Sequence, residues 1–159
     1  MAAIDFPTSP TEAQQYTINN KTWKWVGSLT SWVSDTVVGQ SVFEIPFVIN
    51  GGGSVITAGV KGYMIIPFLC TIAQVTTLAD VSGSVVIDIW KDTYTNYPPI
   101  VGDSICAAAK PTLSGAIKSQ DTTLTGWTKV INAGDTLGYN VDSATTVTLV
   151  TVSLKVTRT

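Results

Sequence analysis

The chain has no histidine and only two cysteines, Cys70 and Cys106. Without histidine there is no Ser-His-Asp triad, no Cys-His pair and no histidine-ligated metal. Two cysteines are too few for a disulfide scaffold. Both lie among apolar or small residues, so each reads as a buried free thiol, with a single bridge between them left open. Charge is also scarce, at 13% of 159 residues, with nine basic against eleven acidic side chains and a net charge of −2. Nine thinly spread Lys and Arg make no positive patch, so no nucleic-acid partner is expected. The strong helix formers Glu, Lys, Leu and Arg are few, which argues against a helical protein. No run approaches the ~18 apolar residues of a membrane span, so no membrane insertion is expected. Residues 1–10 lack a basic end and an apolar core, so no secretory signal is expected there.

Against these gaps stands an excess of β-branched residues. Thr (24), Val (19) and Ile (14) fill 57 positions. They fit a pleated, half-buried surface, so the chain reads as all-β. High hydrophobicity with low net charge excludes disorder. The length fits one domain, or one domain plus a small appendage.

The composition shifts near residue 36. Residues 1–36 hold three of the five tryptophans. There Phe6-Pro7-Thr8-Ser9-Pro10-Thr11 reads as extended chain, because proline fixes its own φ and restricts its neighbour. A three-strand meander is expected next, over Gln15–Ile18, Thr22–Val26 and Ser31–Val33. Asn19-Asn20 and Gly27-Ser28 supply its turns. Some 20 such residues bury little surface by themselves, so the meander calls for a partner surface or further copies.

Residues 37–159 carry the longer strands. Val42–Asn50 ends at the Gly51-Gly52-Gly53 turn, which has no lysine after it and is no phosphate loop. A short strand over 54–60 follows. Tyr63–Phe68 is a continuous apolar run and reads as a strand buried on both faces. Cys70–Leu78 alternates, but Ile72 and Val75 are out of phase, which points to a bulge. Ala79–Gly83 reads as a turn and Ser84–Asp92 as a strand. Tyr94–Pro99 is an aromatic loop, and residues 103–109 suit a helical turn capped by Asp103. Residues 114–125 read as irregular or as an edge strand. Trp127–Ile131, Thr136–Val141 and Thr145–Thr157 complete the set. In the last, Val150, Val152, Leu154 and Val156 alternate with Thr151, Ser153, Lys155 and Thr157, so one face is buried and one polar. Short strands, antiparallel links and no long helix predict an antiparallel β-sandwich, jelly-roll-like, preceded by the meander and arm.

Candidate chemistry is thin. Glycoside hydrolysis needs two carboxylates at a set separation. Glu12 and Glu44 lie in different regions. Asp88 and Asp92, four apart on one strand, share a face with Val86 and Trp90. They read as hydrogen-bonding acids of the sheet or, with Asn96 or Asp103, as oxygen ligands for a cation. A glycosidase built on them is the weakest reading. No catalytic residue, cofactor or metal site is assigned. Trp90, Tyr94 and Tyr97 gather around one loop and are the candidate glycan contacts, since exposed rings stack on sugars. The competing reading puts Trp90 and Trp127 in the core.

Two stretches carry a resemblance. Phe6-Pro7-Thr8-Ser9-Pro10-Thr11-Glu12-Ala13-Gln14-Gln15-Tyr16-Thr17, then Asn20-Lys21-Thr22-Trp23-Lys24-Trp25 and Trp32, is similar to a short module of tailed-bacteriophage fibre and other virion proteins. That module runs Pro-x-x-Pro, Gly-Gln-x-Tyr, Asn, Thr-Trp-x-Trp, Gly, Trp. Ala13 replaces its usual glycine, and Val26 stands where an acidic residue is common. Residues 43–159 resemble a domain of phage structural proteins. The matching runs include Phe47–Gly53, Gly59–Tyr63, Ser84–Asp92, Lys110–Leu113, Ala133–Leu137 and Ser153–Thr157.

The resemblance implies a non-enzymatic virion structural protein, a tail fibre or a head fibre or decoration protein. Residues 1–36 would anchor it, through Phe6, Pro7, Pro10, Tyr16, Trp23, Trp25 and Trp32. Residues 37–159 would form the displayed sandwich. Implied partners are its own copies as a homotrimer and other virion proteins of capsid, collar or tail; binding to a host-surface glycan is a secondary expectation. The implied location is the virion, assembled in the host bacterial cytoplasm. The alternative is a carbohydrate-binding module of a secreted protein.

Overall fold

A computed structural model describes residues 6–18, 21–35 and 42–158. The chain divides into two compact units, Met1–Gly39 and Gln40–Thr159. The expected boundary between residues 36 and 37 and the expected Asn19-Asn20 turn lie outside the described residues. Among the described residues there are strands and short 3₁₀ turns and no α-helix.

The first unit is a three-stranded antiparallel sheet of β1 (Gln15–Ile18), β2 (Lys21–Val26) and β3 (Ser31–Asp35), in that order. The meander is therefore as the sequence suggests. Its register sets Tyr16 opposite Trp23 and Trp25 opposite Trp32. Strand period two then puts all four rings on one face. The arm lays Phe6 on them, stacked on Trp32 at 5.2 Å and edge-on to Trp23 at 5.4 Å. A sheet this short has little else to bury, and each such ring pair contributes roughly 1 kcal/mol. Three contacts hold the approach: Gly27 N–H donates to Glu12 Oε2 at 2.6 Å, Ala13 N–H to the Trp25 carbonyl at 3.1 Å and Trp25 N–H to the Gln14 carbonyl at 2.9 Å.

The second unit contains β4 (Val42–Asn50), β5 (Gly59–Ile65), β6 (Cys70–Thr93), β7 (Thr112–Asp121), β8 (Val130–Ile131), β9 (Asp135–Thr145) and β10 (Leu149–Arg158). The order is β4-β10-β6-β9-β5, with β7 and β8 also on β6. Every pairing is antiparallel. The 24-residue β6 organises the sheet. Its residues 70–79 pair with β10 and its residues 84–93 with β9. The sheet thus folds over near residues 79–84 into two layers of a β-sandwich. Ile45, Ile49, Ile72, Val75 and the four alternating residues of β10 face Val85, Ile87, Ile89, Leu137, Tyr139 and Val141 in one core. Phe47 stacks on Tyr139 at 4.0 Å between the layers.

Several expectations hold. β4 has the expected limits, and β10 buries the expected valines and leucine. Gln74 pairs with Lys155 and Ile72 with Val156, so Ala73 is the extra residue of a bulge and both Ile72 and Val75 turn inward. Both cysteines are free and buried.

Others are corrected. Ala79–Gly83 is no turn between strands, because β6 runs through it as a bend. Gly83 allows this: a Cβ there would lie 2.6 Å from the Thr145 carbonyl and 2.8 Å from Val147 Cγ2. Residues 54–58 are not strand. The Tyr63–Phe68 run is not doubly buried, because β5 ends the strand order and only one of its faces meets the core. Residues 103–109 form no helical turn. A 3₁₀ turn covers Val101–Asp103, and the chain then runs along β6, with Ile105 N–H donating to Ile89 and Ile87 N–H to Pro111. Open backbone groups on β6 beyond β7 outweigh the local helical preference.

Candidate functional site

The outer side of β5 and the loop that follows β6 carry exposed aromatic surface. Register puts Tyr63 across from Gly138, and Gly138 across from Trp90. The next row is Ile65, Thr136 and Asp92. After β6 a 3₁₀ turn spans Tyr94–Asn96, followed by a cis Tyr97-Pro98 bond. Asp92 Oδ1 fixes the turn by accepting from Thr93 N–H at 2.6 Å and Asn96 Nδ2 at 3.1 Å. Asp103 Oδ2 accepts from Ile100 N–H at 2.8 Å and closes the loop's far end.

Gly138 lets this loop return over the sheet. A Cβ there would sit 3.2 Å from both Pro99 Cγ and Tyr63 Cε1. The Tyr63 and Tyr97 rings then meet edge to face, with centroids 5.0 Å apart. The result is a cleft of about 470 Å³ lined by Tyr63, Met64, Ile65, Tyr94, Tyr97 and Thr136. None of these side chains is charged. Tyr94 is 71% exposed, Tyr97 51% and Tyr63 38%. Thr136 is 1% exposed, and its hydroxyl has no hydrogen-bond partner.

Of the three candidate glycan contacts, Tyr94 and Tyr97 line this cleft. Trp90 does not, and the correction has a physical cause. This half of β6 is covered on both faces, and Trp90, opposite Ser104, is only 9% exposed. Trp127 is also a core ring, with its Nε1 donating to the Ala109 carbonyl at 2.8 Å.

The carboxylates are structural. Asp88 is 1% exposed, accepts from the Ser104 hydroxyl at 2.6 Å and pairs with Lys110 Nζ at 3.0 Å. Lys110 also meets Asp142 at 2.7 Å. Hydrogen bonds to Asp142 and Asp88 hold the Lys110 amine above its ordinary pKa. The place a cation would take beside Asp88 is filled by this ammonium. Among the described residues no three acidic, cysteine or histidine side chains gather as a metal site. Burial pushes up the Tyr139 phenol and both cysteine thiols, Cys106 to about 12.

The anchor candidates fall in the first unit. Phe6, Tyr16, Trp23, Trp25 and Trp32 come together as one cluster of half-buried rings. Pro7 and Pro10 are half-buried in the arm that carries Phe6. Tyr63, Thr136 and Gly138 were not among the sequence candidates. The alternation of Tyr63 and Ile65 against Met64 and Ile66 was the available signal for Tyr63. Comparison with protein-family models, curated proteins and solved structures finds no match to this chain.

Proposed function

We propose that the chain is a non-enzymatic structural component of a tailed-phage particle, a tail fibre or a head fibre or decoration protein. Its N-terminal unit anchors it to capsid, collar or tail proteins. Its β-sandwich is displayed, with attachment to the host surface as a further role. One observation carries the reading. The aromatic residues quoted for the N-terminal resemblance, Phe6, Tyr16, Trp23, Trp25 and Trp32, are the packing cluster of a separate small unit placed ahead of the sandwich. That is the form a portable anchoring module takes.

The sandwich also offers a surface to its own copies. Val42, Phe43, Ile65 and Leu69 are exposed. An apolar groove of about 310 Å³ runs between β4 and β5, lined by Phe43, Ile45, Pro46, Met64, Ile65 and Phe68 among others. Contiguous apolar surface of this kind fits a subunit contact, and the reading makes the assembly a homotrimer.

Mass spectrometry of purified particles from the phage that encodes the chain tests the reading. The chain is expected among the particle proteins at a constant ratio to the capsid protein. Its absence from particles, with the chain abundant in the lysate, contradicts the reading.

A further inference from the structure

We propose that the cleft of Tyr63, Tyr94, Tyr97 and Thr136 is a binding site for a neutral pyranose ring of a glycan. This rests on the attachment role given to the sandwich above, and names the chemistry of what it attaches to.

Three observations on the cleft's shape point the same way. The cleft is about 470 Å³, within the roughly 300–1,000 Å³ typical of small-molecule sites. Its tyrosines are open to solvent, although rings of this size are ordinarily spent on burial. Tyr63 and Tyr97 stand edge to face and form a corner. One ring of such a corner stacks on the C–H face of a sugar. The other presents its phenol to the equatorial hydroxyls.

The lining contains no charged side chain, so a phosphate, an acidic sugar or a metal ion would find no counter-charge there. A ligand with one apolar face and a rim of hydroxyls fits this surface. The Thr136 hydroxyl lies buried beneath this lining without a partner.

The cleft is built rather than incidental. Asp92 and Asp103 fix the two ends of the tyrosine loop. Gly138 leaves the space that lets Tyr63 and Pro99 approach. The three tyrosines come from β5 and from the loop after β6, so the sheet register holds their spacing.

The test is a titration of the full chain with the methyl glycosides of glucose, galactose, mannose and N-acetylglucosamine. Glucuronic acid serves as the charged comparison. Tyrosine ring signals are followed by NMR. At least one neutral glycoside is expected to shift the Tyr63, Tyr94 and Tyr97 signals saturably at millimolar concentration. Tyr97→Ala is expected to weaken that binding about tenfold, as loss of a stacked ring does. Tyr94 is largely exposed, so its alanine variant is expected to unfold at the wild-type temperature, and Tyr97→Ala, which loses the Tyr63 ring contact, slightly below it.

Three results overturn the proposal: no saturable shift with any neutral glycoside, binding unchanged in both Tyr97→Ala and Tyr94→Ala, or a preference for the charged sugar. None of these touches the particle assignment, which mass spectrometry decides separately.

Discussion

At Ala13 the backbone takes φ of 63°, a left-handed conformation that a side chain with a Cβ adopts at a cost. Glycine is the residue that takes this conformation without that cost. The arm still needs the conformation, because Ala13 N–H donates to the Trp25 carbonyl and Gln14 N–H to the Thr11 carbonyl. Ala13→Gly is therefore expected to stabilise the first unit by about 1 kcal/mol, the αL penalty reduced by glycine's greater freedom when unfolded. Denaturant unfolding followed by tryptophan fluorescence measures it. A destabilised variant would contradict the assigned strain.

The cysteines make the second residue-scale prediction. Burial holds the Cys106 thiol at about 12 and raises that of Cys70. The thiolate is the reactive form, so at about pH 8 neither should react with an aromatic disulfide reagent in the native chain. Both should react after unfolding. Fast native reaction at either position would contradict the packing. Burial of these thiols was readable from their small, apolar neighbours. The left-handed Ala13 was readable only as a departure from a glycine pattern.

At the scale of elements, the folding-over of β6 depends on Asp80. Its carboxylate accepts from the N–H groups of Thr148 and Leu149 and from the Thr148 hydroxyl, which ties the bend of β6 to the β9–β10 turn. The Thr148 hydroxyl is the main cause of an Asp80 pKa held below the ordinary 3.8, helped by the Leu149 and Thr148 amides. A lowered folded-state pKa favours the folded chain above the unfolded value. That stabilisation fades as pH falls from 3.8 through the lower folded value. Asp80→Asn is expected to unfold at a lower temperature at neutral pH and to show a shallower decline below about pH 4. Parallel melting profiles for the two proteins would contradict the role.

Strand identity was readable wherever one face is buried and the other wet. β10 shows period two over its whole length, and the Ile72–Val75 phase slip disclosed the bulge at Ala73. The bend has the local sequence of a turn, because Ser82-Gly83 is turn chemistry. What keeps β6 continuous is the Thr145–Val147 segment crossing at Gly83, more than 60 positions away in the chain. The same kind of distant partner, the open edge of β6, holds Ser104 and Ile105 against the strand, and a single turn from Cys106 to Ala109 stands in place of the expected helical turn.

Across the whole molecule, the β-sandwich followed from composition and alternation, but its candidate site did not. Tyr97 and Tyr94 were visible as loop aromatics. Their companions Tyr63 and Thr136 become neighbours only through the β5–β9–β6 register. Trp90 has the same sequence signal as Tyr94, yet it lies in the half of β6 covered on both faces, so burial removes it from the surface. The surface that remains is uncharged at the cleft and apolar between β4 and β5. We propose the first for a ligand and the second for further copies of the chain.

The most direct test of that account is the solution mass of the full chain by light scattering at micromolar concentration. A mass three times the 16.8 kDa of one chain, stable on dilution, is the predicted result. A well-folded monomer would contradict the trimeric display protein and favour a free-standing carbohydrate-binding module.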